Sequence, residues 1–96
     1  MRRTILVTYD ICEPKRLTKG YRTMRGYGDH LQLSVFLCQL TRREFVELQG
    51  RLEEIIHHDD DQVLFADLGP ADGEGKNRIR SVGKKYVHPE RAAIVL

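Results

Sequence analysis

Asp10 is the residue whose type and position most directly offer chemistry. It follows the apolar run Ile5-Leu6-Val7 and the pair Thr8-Tyr9. A carboxylate there is a hard oxygen ligand suited to Mg²⁺, which takes one or two protein carboxylates and completes its shell with waters and phosphate oxygens. The plain structural alternative is a loop acid that assists the N-terminus of the helix after it. Two copies of the chain meeting about an axis near Asp10 would hold a metal that one copy would not.

A second set of residues is basic. Lys15 and Lys19 stand four apart, on one face of a helix, with Arg16 beside them, and Lys84-Lys85 makes a further basic spot. Together they offer a phosphate-binding surface that works by charge and counterion release. The alternative is a solvated helix face. Tyr27 is either a base-stacking ring or, between Gly26 and Gly28, a plug at a helix end. His57-His58-Asp59-Asp60-Asp61 has the composition of a metal cluster but not the spacing, because adjacent residues at a helix end seldom converge. It is read as a helix C-terminus followed by an acidic turn. Cys12 and Cys38 form no CxxC pair and have no evident triad partner, so both are read as small core residues. There is no Walker loop, GxSxG elbow or nucleotide-binding glycine fingerprint.

The elements that must position these residues are legible in blocks. The chain has 96 residues, 41% hydrophobic and 31% charged, which fits one folded domain. The longest nearly uncharged run, residues 31–41, is about half a membrane span. No secretory signal opens the chain, and a cytoplasmic, reduced protein without a membrane is expected. The net charge of +2 is divided unevenly: +4 over residues 1–30, −4 over 41–61 and +2 over 62–96. That polarity suits an anionic partner on one side.

Residues 3–9 predict a central strand. Glu13-Pro14 opens a helix that buries Leu17, Tyr21 and Met24, and Gly26-Tyr27-Gly28 ends it. Residues 30–40 form either one long bent strand or two short ones, since no Asn-Gly or Asp-Gly marks a turn. Thr41 and Glu44 have capping-box spacing, and Phe45, Leu48, Leu52, Ile55 and Ile56 keep helical period behind them. Residues 62–68 predict another strand, 69–75 a flexible loop, 79–82 a short strand, and 92–96 an apolar extended tail. With two strands in 30–40 the order is βαββαβ, an α+β ferredoxin-like sandwich with an extra C-terminal strand. The core spans about 1–69, and the basic turn and partner-pairing strand about 76–96. Ile5, Val7, Leu33, Val35 and Val63 compete for too few places on the helix-covered side, so a homodimer packed through the sheets is expected.

Several of these residues carry a resemblance. Val7-Thr8-Tyr9-Asp10-Ile11, Lys15-Arg16-Leu17, Tyr27-Gly28, Gln32 with Ser34-Val35-Phe36, and Gly83-Lys84 before an extended tail resemble the CRISPR-associated Cas2 family, in order and at matching spacing over essentially the whole chain. The resemblance implies a ferredoxin-like homodimer whose C-terminal strand joins the partner's sheet. It implies Mg²⁺-dependent endonuclease activity on RNA or DNA, with Mn²⁺ as a substitute ion, and Asp10 as catalytic and metal residue with Tyr9 beside it. It also implies a scaffold between two dimers of the Cas1 integrase during spacer acquisition, with double-stranded DNA, and single-stranded RNA as a further ligand, held by basic positions such as Arg16.

The sequence departs from the family pattern where Leu37 replaces an acid and His30 replaces an arginine. Both departures weaken the expected nuclease and leave the scaffold role untouched. Two functions therefore stand side by side: a nucleic-acid-binding adaptor, and a metal-dependent phosphodiesterase, which in its stand-alone form would be a toxin-like endoribonuclease.

Overall fold

In the computed structural model of the protein, residues 1–84 are described. Lys85 and the strand expected at 92–96 lie outside them. The order is β1 (Arg3–Asp10), α1 (Pro14–Arg25), β2 (Gly28–Gln32), β3 (Val35–Leu40), α2 (Arg42–Ile55), β4 (Gln62–Pro70) and a short 3₁₀ helix (Gly75–Arg78). The strands form one sheet in the order β2-β3-β1-β4, with every neighbouring pair antiparallel. This is the expected ferredoxin-like βαββαβ arrangement, and residues 30–40 contribute to two strands rather than one.

Side-chain alternation sorts the strands into two faces. Ile5, Val7 and Tyr9 of β1 and Phe36, Cys38 and Leu40 of β3 point to the helices, where Met24, Leu48 and Leu52 complete a buried cluster. Val63 and Phe65 of β4 pack against the same cluster. Burial pushes the pKa of the Cys38 thiol up to about 12, as befits a core residue. The opposite parity puts Leu6, Val35, Leu37 and Leu64 on the far face, with Leu6 paired to Leu37 and Thr8 to Val35 and Leu64. The competition for covered places is thus resolved: Ile5, Val7 and Val63 win them, Val35 takes the far face, and Leu33 goes to the turn.

The helices begin as their sequences predict. Thr41 Oγ1 accepts from the Glu44 backbone N–H while the Glu44 carboxylate accepts from the Thr41 N–H, a complete capping box. Glu13 caps α1 by accepting from the backbone N–H groups of Lys15 and Arg16, and those bonds hold its carboxyl below the ordinary value.

Three expectations need correction. Leu17 is exposed, because Gly20 and Met24 take the buried stripe of α1 and Gly20 lets Ile11 approach closely. Residues 79–82 form no strand; the chain there is irregular after the 3₁₀ helix. The flexible loop is shorter than expected, since β4 runs on to Pro70 and the 3₁₀ helix starts at Gly75, packed so closely on Leu68 that a side chain at 75 would strike its carbonyl.

Between β2 and β3 the chain turns at Leu33-Ser34, with Leu33 at φ 32°, a left-handed conformation that a bulky side chain rarely adopts. Two contacts hold it there. The His30 ring nitrogen Nε2 lies 2.6 Å from the Leu33 carbonyl, and the Tyr9 N–H donates to the Ser34 carbonyl at 3.1 Å.

Candidate nucleic-acid interface and metal position

Asp10 is the last residue of β1, opposite Gln62 of β4, and is exposed. Its parity places it with Leu6 and Thr8, on the sheet face away from the helices. Among the described residues its carboxylate makes no hydrogen bond or ion pair. Tyr9 points the other way, is buried, stacks near Phe36 with ring centroids 6.2 Å apart, and its backbone N–H donates to the Ser34 carbonyl. Burial raises its phenol pKa. Tyr9 therefore anchors the strand end that presents Asp10.

The basic residues divide. Lys15 and Lys19 are exposed on α1, and Lys84 is exposed in irregular chain with no hydrogen bond or ion pair to α1 among the described residues. Arg16 is different. Its Nε donates to Asp61 Oδ2 at 2.8 Å and its Nη2 to Asp61 Oδ1 at 3.3 Å. The Asp61 side chain is fully enclosed, while that of Arg16 keeps 27% of its surface exposed. The Cys12 N–H also donates to Asp61 Oδ1 at 3.0 Å and the His57 N–H to Oδ2 at 2.8 Å.

Asp61 thus ties together the loop after β1, the first turn of α1 and the turn before β4. The sequence does not single it out as a functional residue, since nothing in Asp59-Asp60-Asp61 marks which of three identical side chains turns inward. Cys12, expected in the core, is exposed; its thiol donates to the Asp60 carbonyl at 3.1 Å, because the loop runs along the turn instead of under the sheet. His57 Nδ1 sits 3.3 Å from Asp60 Oδ2 at the surface.

The Arg16 guanidinium and then the His57 N–H hold the Asp61 carboxyl well below the usual carboxylate range. A depressed folded-state pKa adds stability that is complete above about pH 5 and fades as acid protonates the group. Asp61→Asn should therefore flatten the acid limb of a plot of unfolding free energy against pH, measured by urea denaturation. Parallel acid limbs for both proteins would show that Asp61 contributes no such linkage.

A groove of about 580 Å³ between α1 and α2 lies on the helix side, remote from Asp10. Its acids are engaged internally: Glu44 pairs with Arg2, and Glu47 accepts from the Tyr27 hydroxyl. Tyr27 is thus the helix-end plug of the two readings.

The strand end offers a divalent ion the single carboxylate of Asp10. Asp10 is free and exposed, but among the described residues no three His, Cys, Asp or Glu side chains converge on one point. One chain therefore offers a single carboxylate, at the lower bound of what the ion takes from protein. His30 and Leu37, the departures from the family pattern, lie elsewhere: His30 packs on Tyr21 and Phe36, and Leu37 is buried opposite Leu6 and Asp29.

Among the described residues no helix is long and apolar enough to cross a membrane. A family profile described as CRISPR associated protein Cas2 matches residues 2–74. The chain is 38% identical over 96 residues to a CRISPR-associated endoribonuclease Cas2 of Geobacter sulfurreducens, covering the whole of both. It is 40% identical over 91 residues to CRISPR-associated endoribonuclease Cas2 1 of Rhodospirillum rubrum, covering 95% of this chain and 88% of that one. The crystal structure of Streptococcus pyogenes Cas2 at pH 6.5 superposes with a TM-score of 0.74 at 35% identity, over 83% of this chain and 99% of that one. With a matching profile, full-length relatives and the same fold, the chain belongs to the CRISPR-associated Cas2 family.

Proposed function

We propose that this protein is a homodimeric scaffold of CRISPR adaptation. It grips the backbone of double-stranded DNA and bridges two Cas1 integrase dimers, with slow Mg²⁺-dependent cleavage of RNA or DNA as a secondary activity. The observation that carries this reading is the isolation of Asp10. No described acid, base or cation is joined to it, whereas the Lys15 and Lys19 side chains are exposed and, among the described residues, unpaired on the adjoining helix. That is a surface better equipped to hold phosphates than to stabilise a transition state. The apolar far face supports the dimer: the partly exposed Leu6 and Val35 lie there around the buried Leu37, and Leu64 is 55% exposed. A second reading, a stand-alone metal-dependent endoribonuclease, is favoured by the place of Asp10 at a strand end. The relatives' names also favour it.

Two copies related across the far face would each supply an Asp10 carboxylate to one ion, Mg²⁺ or Mn²⁺. An ion held there would supply Lewis-acid polarisation of a phosphate and a water of lowered pKa, with the two Asp10 carboxylates as its protein ligands. The test of the scaffold is duplex binding at several salt concentrations, together with sedimentation. A species of twice 11.2 kDa is expected. Each lysine that meets a phosphate should contribute about 0.9 to the slope of log affinity against log salt, so reversing the charge of Lys15, Lys19, Lys84 and Lys85 should flatten it. A monomer, or sequence-selective binding indifferent to salt, would sink the proposal.

A further inference from the structure

We propose that Asp61 is a positioning residue that pins the chain on the far side of Asp10 and aims Arg16 at a nucleic-acid phosphate. This rests on the phosphate-binding reading given above. Asp10 is held between two anchored peptides. Before it, the Tyr9 N–H donates to Ser34; after it, the Cys12 N–H donates to Asp61. Each Asp61 oxygen accepts two hydrogen bonds, Oδ1 from Cys12 and Arg16 Nη2, Oδ2 from His57 and Arg16 Nε. Its acceptor capacity is spent on three separate segments, and an amide in its place would turn a donor toward donors.

The pair engages the Nε–Nη2 edge of the guanidinium. The Nη1 group makes no hydrogen bond among the described residues, and the side chain is partly exposed. Arg16 is therefore a cation whose direction is already set, able to donate to a phosphate without the ordering cost that a free Lys15 or Lys19 side chain must meet. The guanidinium and the Asp10 strand end share one carboxylate as their fixed reference, so the spacing between them is a property of the fold.

Charge and position predict opposite results. Asp61→Asn removes a negative charge from each protomer, so electrostatics alone would tighten duplex binding. Positioning predicts about tenfold weaker binding, the loss of one oriented charge-assisted contact. Arg16→Lys keeps both charges and removes the bidentate geometry; it should weaken binding similarly, and the double variant should be no worse than either single one. Because Asp61→Asn could disturb folding, Arg16→Lys carries the same test in a chain that keeps its buried carboxylate paired. Tighter or unchanged binding in both single variants would overturn the proposal.

Amide exchange in the full-length protein without nucleic acid gives an independent reading. The Cys12 and His57 amides should be protected in wild type and exchange at least about tenfold faster in Asp61→Asn. Unprotected amides in wild type would overturn the pin. If wild type binds no duplex, the scaffold reading and the aiming of Arg16 both fall, and the exchange data alone then decide whether Asp61 pins the loop.

Discussion

Asp10→Ala should abolish Mg²⁺-dependent cleavage of labelled RNA and DNA while leaving the dimer and duplex binding as in wild type. Asp10 is exposed and unpartnered among the described residues, so its truncation leaves no buried group unsatisfied and the core packing intact. Folding should not notice. Any chemistry at the strand end should, because no other described acid converges there to take its place. If Asp10 is the ligand of an ion that would contribute several kcal/mol of charge stabilisation, its removal predicts a fall of roughly two to three orders of magnitude. For a wild type that is slow to begin with, that means cleavage at background.

The same variant separates the two functional readings. Spacer integration retained in Asp10→Ala, with cleavage gone, assigns the protein to the scaffold. Integration lost together with cleavage assigns it to chemistry. Equal cleavage by wild type and variant, purified in parallel, would mean that the hydrolysis belongs to another site or another protein.

What the sequence made legible follows where one local force dominated. The run Ile5-Leu6-Val7 has no polar interruption and became the central strand. Thr41 and Glu44 satisfy each other's amides within four residues, so α2 begins where the spacing says. The division of residues 30–40 was not legible, because the left-handed turn position that Gly or Asn usually marks is filled by Leu33 and held by His30 and Tyr9, the latter distant in sequence. Leu17 fits the helical stripe by period, yet the narrow space beneath α1 admits Gly20 instead.

The site shows the same contrast. The place of Asp10 at a strand end is a local fact. The inward turn of Asp61 depends on Arg16, 45 residues away, and on backbone groups from two loops. No periodicity encodes such a contact. The exposure of Cys12 has the same origin, since its backbone is drawn to Asp61 and its thiol to Asp60.

Phe36→Ala should destabilise the domain more than Asp10→Ala or Arg16→Lys, and it should reach Asp10 through packing. Phe36 is fully enclosed in β3, with its ring 6.2 Å from Tyr9, 5.8 Å from Tyr21 and 4.9 Å from His30, centroid to centroid. Its removal opens a cavity where α1 meets the sheet, between rings carried on three separate elements, β1, α1 and β2. The expected loss is about 3–5 kcal/mol, set against a total of roughly 5–15 kcal/mol for a domain. At about 4–8 °C per kcal/mol for a chain of this size, the melting temperature should fall by more than about 10 °C. The comparison must be made at equal protein concentration, because the apparent stability of any self-associating protein depends on it. Phe36→Leu, which keeps most of the volume, should cost less than half as much. A fall of only one or two degrees in Phe36→Ala would show that the ring cluster is not the keystone of the helix–sheet contact. Tyr9 leans on Phe36 and holds Ser34, so exchange at the Tyr9 amide should accelerate in Phe36→Ala before global unfolding, loosening the strand end that presents Asp10.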